Sequence, residues 1–224
     1  MHASAQAAWQ AFITNDEGNI PYMYLDKKML VTVGIGNLID PLSQALTLPF
    51  QFKTNNAAGI PASRAATRKE IETEWLSLKN HPTKAALARM GHTSCAKLTS
   101  LELTTAARQR LFDRVTGEHE TQLITYFPDF AKWPADAQLG LMAMAWGLGK
   151  YFPAKWPKFT SACNKEDFDT AAGESSISTW RAERNASSVL FFSNAARVVK
   201  NPGAYDRTRV YYPTMLLDTV AVTA

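Results

Sequence analysis

The chain has 224 residues, 46% of them hydrophobic and 20% charged, with 11 Gly and 11 Pro. That balance is enough for a core of its own and excludes a disulfide-stapled miniprotein, a disordered chain and a fibrous one. The surplus of +4 is spread along the chain rather than gathered into a Lys/Arg stripe, so no nucleic-acid surface is expected, only weak attraction to a polyanionic matrix.

Trp9, Phe12 and Ile13 recur at helical spacing and predict a short amphipathic helix over 4–14, ending before Asn15-Asp16-Glu17-Gly18 and delivering Glu17 at its end. From Tyr22 to Leu38 the period changes to two. Tyr22 and Tyr24, then Val31, Val33 and Ile35, alternate around Asp26-Lys27-Lys28, which predicts an antiparallel hairpin with its turn near 26–29. Pro41, Pro49, Asn55, Asn56, Gly59 and Pro61 then punctuate 40–63, read as an irregular surface excursion. Thr67 and Glu70 form a T-x-x-E capping box, followed by Ile71, Trp75 and Leu78 on one helical face until His81-Pro82. Further helices are predicted over 104–117, 134–148, 166–173 and 187–199, leaving the second half all-helical and the sheet confined to the first 40 or so residues.

The resulting expectation is one domain over 1–224, α+β and mostly α. A small N-terminal lobe over about 15–66 holds the hairpin or small antiparallel sheet. A larger helical lobe over about 67–224, with helix 4–14 packed on it, follows, and a cleft is expected between the two. The longest apolar charge-free run, Ala137 to Gly149, falls short of the roughly 18–20 residues of a membrane helix, so no membrane span is expected. No Lys or Arg precedes an apolar h-region near the N-terminus, so no signal peptide is visible. Cys95 and Cys163 are either two buried thiols or one bridge. His92 and Cys95 stand three apart, but no metal motif accompanies them, and no metal or cofactor is expected.

Three polar side chains stand out: Glu17 at a helix end, Asp26 in the hairpin and Thr32 on the next strand. Cleaving a glycosidic bond with inversion needs one carboxylic acid to protonate the leaving oxygen and a second carboxylate, roughly 6.5–9.5 Å away, to activate water. A hydroxyl such as that of Thr32 can orient the same water.

The stretch E17-G18-N19-I20-P21-Y22-M23-Y24-L25-D26, followed by T32-V33-G34-I35-G36, resembles the catalytic segment of the T-even phage lysozymes, glycoside hydrolase family 24. Residues 4–39 carry the likeness most strongly and 103–200 more loosely, leaving 40–66, 80–102 and 204–224 as additions. The resemblance implies a lysozyme-like fold with Glu17 as general acid, Asp26 as the carboxylate that activates water or stabilises positive charge, and Thr32 as the hydroxyl that positions the water. It further implies Arg184 as the support of the acid, with Arg181 as its rival one turn away, and substrate contacts at Tyr24, Gly36, Leu38, Trp146, Gly149 and Phe159. One departure sits beside the motif, where Asn37 stands in place of the family's His.

The implied activity is hydrolysis of the MurNAc-GlcNAc β-1,4 bond of bacterial peptidoglycan by a monomeric muramidase. It would act in the periplasm or cell wall as an endolysin delivered by a holin, or as an antibacterial effector toxin delivered by a secretion system. A toxin implies a cognate immunity protein. The start Met1-His2-Ala3-Ser4 reads like a cut from something larger, and with the added segments it tilts the reading toward a toxin. The rivals are a lytic transglycosylase, which makes a 1,6-anhydro end without an Asp partner, and a non-catalytic module that binds glycan or a partner protein.

Overall fold

A computed structural model describes residues 1–54, 56 and 59–217. Asn55, counted above among the breakers of 40–63, and the part of the 204–224 segment from 218 on lie outside the described residues. The fold is α+β and mostly α. It forms two compact units: a helical unit made of Met1–Asp16 and the chain from Thr116 onward, and a sheet unit, Glu17–Val115.

The first helix, α1 (Ala3–Glu17), buries Ala5, Trp9 and Ile13. It runs three residues beyond the predicted end because Gly18, at φ +75°, is the first residue that readily adopts the left-handed conformation which stops a helix. The polar run Asn15-Asp16 does not break it, and Glu17 becomes its last residue.

In the sheet unit, β1 (Ile20–Leu25), β2 (Val31–Gly34) and β3 (Asn37–Leu38) form an antiparallel sheet in that order. The excursion expected at 40–63 proves partly ordered and contributes to the core. It carries α2 (Leu42–Ala45) and β4 (Gln51–Phe52), and Ala45, Phe50 and Phe52 are buried. Next comes α3 (Arg68–Lys79), opened by the predicted capping box: Glu70 N donates to Thr67 Oγ1 at 3.3 Å, and Thr67 N donates to Glu70 Oε2 at 2.8 Å. After α4 (Lys84–Met90), which the sequence reading did not foresee, a 3-10 turn over His92–Cys95 leads to β5 (Leu101–Glu102), paired antiparallel with β4. This second sheet lies beyond the predicted limit near residue 40. A hydrogen bond from Leu103 N to Pro21 O, 2.7 Å, ties the strand segment to β1.

One core joins Met23, Leu25, Val31, Val33 and Ile39 of the three-stranded sheet to Ile71, Trp75 and Leu78 of α3 and Leu87 of α4. For that reason the unit runs on to Val115 rather than ending near 66. Helix 68–79 hides its apolar face in this shared core of sheet and helix residues.

The helix α5 (Thr105–Tyr126) is longer than the predicted 104–117, since Gly117 keeps a helical conformation. In the helical unit, α6 (Ala135–Leu148) sits where the sequence predicts and is buried continuously from Ala135 to Ala145. It is followed by α7 (Pro157–Asn164), unforeseen, then α8 (Phe168–Glu174) and α9 (Ala182–Lys200), which starts five residues earlier than predicted. Gly140 lets α6 and α9 approach: a Cβ there would come within 2.8 Å of Phe191 Cβ.

The chain after α9 is anchored by a buried polar hub. Asp136 accepts from the backbone N–H of Tyr211 and Tyr212 at 2.8 and 2.9 Å and from Asn194 Nδ2 at 3.3 Å, while Leu216 N donates to Asn194 Oδ1 at 2.9 Å. Of the two readings left open for the cysteines, the structure shows free thiols: Cys95 and Cys163 are both buried and unbridged. No described helix is long and apolar enough to cross a membrane.

Candidate active site

Pairing register determines which side chains share a face, because residues directly opposite in neighbouring strands point the same way and successive residues alternate. Tyr24 is opposite Thr32, and Thr32 is opposite Leu38. These three therefore form one row across the sheet on the face away from Met23, Leu25, Val31 and Val33, which are buried in the core. Tyr22 precedes Tyr24 by two residues, and Asp26 follows it by two. In the row, Leu38 is 52% exposed and Thr32 only 4%, shielded between its two neighbours.

Asp26 holds the hairpin turn. Its Oδ1 accepts from the backbone N–H of Lys28 and Leu30, both at 2.8 Å, which explains why a chain reversal forms at 26–30 with Met29 at φ +60°. Its Oδ2 accepts nothing from the described residues, so one oxygen is fixed by the turn and the other remains for chemistry. Thr32 Oγ1 donates to Leu30 O at 3.2 Å, which leaves the lone pairs of the hydroxyl as acceptors.

Glu17 enters from the end of α1, separated from the start of β1 at Ile20 by Gly18 and Asn19. Its carboxylate and that of Asp26 both act on the Tyr24 phenol. Burial raises the phenol pKa most, and the negative charges of Glu17 and Asp26 raise it further. Tyr24 therefore stays a neutral O–H donor beside two acids contributed by a helix end and a turn. The register gathers Tyr24, Thr32 and Leu38, and the charges of Glu17 and Asp26 are felt at the Tyr24 phenol.

Gly36 lies in the β2–β3 turn with φ +63°, half-buried, and Gly34 with φ +66°. A Cβ on Gly34 would come within 2.9 Å of Asn37 Oδ1, so that position demands glycine. Asn37, 4% exposed, faces the core side opposite Val33 and braces the turn through an Ile35 N–H to Oδ1 bond of 3.2 Å. Its Nδ2 is buried without a hydrogen bond, a cost of about 1–3 kcal/mol in a typical interior.

The remaining sequence-predicted residues belong to the helical unit. Arg184 and its rival Arg181 share one carboxylate: Arg184 Nη1 lies 2.9 Å from Asp16 Oδ2 and Arg181 Nη2 lies 2.8 Å from Asp16 Oδ1. Arg184 also stacks over Trp180 at 4.1 Å, in space left by Gly147, where a Cβ would come within 2.6 Å of Trp180 and 2.7 Å of Arg184. A cavity of about 520 Å³ opens around Asp16, Arg181, Arg184 and Tyr212. Trp146 is half-buried and packs edge-on to Trp9, ring centroids 5.5 Å apart. Gly149 is the exposed cap of α6 at φ +87°. Phe159 is a correction: it is wholly buried, packed between Phe152 and Phe192, and is a core residue with no surface to offer a substrate.

Sequence reasoning weighed His92 only as a metal ligand and did not single out Lys53. Among the described residues no group of three or more His, Cys, Asp or Glu side chains is placed to hold a metal ion. Instead the imidazole Nδ1 of His92 shares a 3.1 Å hydrogen bond with the Tyr22 hydroxyl, and its ring meets Tyr24 edge-on at 6.1 Å. Lys53 Nζ lies 4.5 Å from the Tyr22 ring centroid and donates to Ala96 O and Thr99 Oγ1 at 2.9 and 2.8 Å. No local motif announces these contacts, since they join residues some 30–70 positions apart.

No protein-family model matches the chain, and no curated protein matches it.

Proposed function

We propose that the chain is an N-acetylmuramidase that hydrolyses the glycan of bacterial peptidoglycan. The observation that carries the reading is the convergence of Glu17 and Asp26 on the Tyr24 phenol, on the sheet face that also holds Thr32. Glu17 protonates the departing glycosidic oxygen. Asp26, fixed by its turn through Oδ1, presents Oδ2 to a water, and Thr32, whose proton is committed to Leu30 O, accepts from the same water. Tyr24, held neutral by burial and by the two negative charges, adds no charge of its own beside the acids.

This division of labour favours hydrolysis over transglycosylation, which leaves no task for a second carboxylate or for a water-positioning hydroxyl. The enzyme acts in the cell wall after delivery by a holin or a secretion system. As a toxin it requires an immunity protein in the cell that makes it.

Clearance of a turbid suspension of purified cell walls tests the reading. General acid catalysis supplies on the order of 10²–10⁴-fold, so Glu17→Gln should lose at least that factor while melting at the wild-type temperature. Undiminished clearance by Glu17→Gln would refute the assignment.

A further inference from the structure

The sheet face that carries the two acids continues sideways into an aromatic rim. From the Tyr24 phenol, which feels Glu17 and Asp26, the surface passes to the His92 ring at 6.1 Å, then through the 3.1 Å bond to the Tyr22 hydroxyl, and ends at the Tyr22 ring with the Lys53 ammonium 4.5 Å from its centroid. All four residues are half-buried. The rim is rigid by construction. Lys53 pins it to Ala96 O and Thr99 Oγ1, and His92 sits on the 3-10 turn that follows Gly91, itself at φ +81°. His92 Nε2 has no partner among the described residues, so a ring nitrogen remains to meet a ligand hydroxyl or amide.

We propose that this rim of Tyr22, His92 and Tyr24 is a saccharide subsite, taking an N-acetylated sugar of the glycan that adjoins the cleaved bond. Three half-exposed rings offer flat apolar faces to the C–H face of a pyranose and to an acetamido methyl, while polar ring edges fix orientation. The Lys53 ammonium is spent on Ala96 O, Thr99 Oγ1 and the Tyr22 ring, which favours a neutral sugar over an acidic peptide. The proposal rests on the muramidase reading for the identity of the polymer and on the rim alone for the binding.

The test uses the full chain carrying Glu17→Gln, titrated by NMR with chitohexaose and with chitobiose. Chitohexaose should bind more tightly than chitobiose. His92→Ala in that background should weaken chitohexaose about tenfold, and His92→Phe, which keeps a ring in place, should recover most of the loss. Chitohexaose that fails to bind, binds equally with and without His92→Ala, or stays as weak with His92→Phe as with His92→Ala overturns the subsite. Wall clearance by the wild-type chain is scored separately. A wild type that clears walls while the rim variants leave chitohexaose affinity unmoved sinks the subsite alone. A wild type that clears nothing while the rim binds chitohexaose as described sinks the muramidase reading alone.

Discussion

Two aspartates, Asp26 in the sheet unit and Asp136 in the helical unit, do opposite things with the same carboxylate. Asp136 is wholly buried and spends both oxygens on the fold, accepting from Tyr211 N, Tyr212 N and Asn194 Nδ2, and burial raises its pKa against the effect of those bonds. Asp26 spends one oxygen on a turn and leaves the other unclaimed, two residues beyond Tyr24, whose phenol feels both its charge and that of Glu17. What marks Asp26 as the candidate catalytic acid is therefore the oxygen that its turn leaves unclaimed.

Substitutions can break that comparison. Asp26→Asn keeps an oxygen to accept from Lys28 and Leu30, so the turn should survive while the rate of wall clearance falls on the order of 10²–10⁴-fold. A parallel fall in melting temperature would show that Asp26 is structural after all. Asp136→Ala should do the reverse. It leaves Tyr211 N and Tyr212 N without an acceptor, while Asn194 Nδ2 keeps Thr214 O, and at about 1–3 kcal/mol for each unsatisfied group denaturant unfolding should show a loss of about 2 kcal/mol or more. The clearance rate per folded molecule should be maintained.

A third carboxylate sharpens the contrast with a pH dependence. Glu74 of α3 accepts from Ser100 N at 2.5 Å and from Leu101 N at 3.1 Å, holding β5 to the helix, yet burial pushes its pKa up to about 7 despite those bonds and the nearby Lys53 ammonium. Since the folded chain holds this proton more tightly than the unfolded chain, the stability it contributes is fully present below the ordinary glutamate pKa. It is lost as pH rises through about 7. Melting temperatures measured across pH 4–8 should fall over that window, and Glu74→Gln should flatten the slope. An unchanged slope would show that Glu74 is not the group responsible.

The parts of the fold legible in the sequence were those set by local chemistry. The Thr67–Glu70 capping box, the turn at Asp26 and the apolar helix from residue 135 all form where near-neighbour spacing places them. What the sequence concealed were long-range choices. The pair of β4 and β5 joins residues some fifty positions apart, and segment 40–63, rich in Pro and Asn, still delivers Phe50 and Phe52 to the core because one buried aromatic outweighs several turn residues. At the candidate site, the motif residues Glu17, Tyr24, Asp26 and Thr32 were legible as a spacing, and the pairing register then put Tyr24 and Thr32 on one face with Leu38. Phe159 misled because likeness to a family's helical lobe places a residue in that lobe without saying whether its side chain meets solvent or the core. His92 went unread as a partner of Tyr22 because only folding brings them together.

The most direct measurement is the chemistry of the released glycan ends. Purified peptidoglycan digested with the wild-type chain, reduced with borohydride and analysed by mass spectrometry should yield muropeptides ending in reduced MurNAc, the product of water delivered under Asp26 and Thr32. Muropeptides ending in 1,6-anhydro-MurNAc, or no released muropeptides at all, would contradict the account.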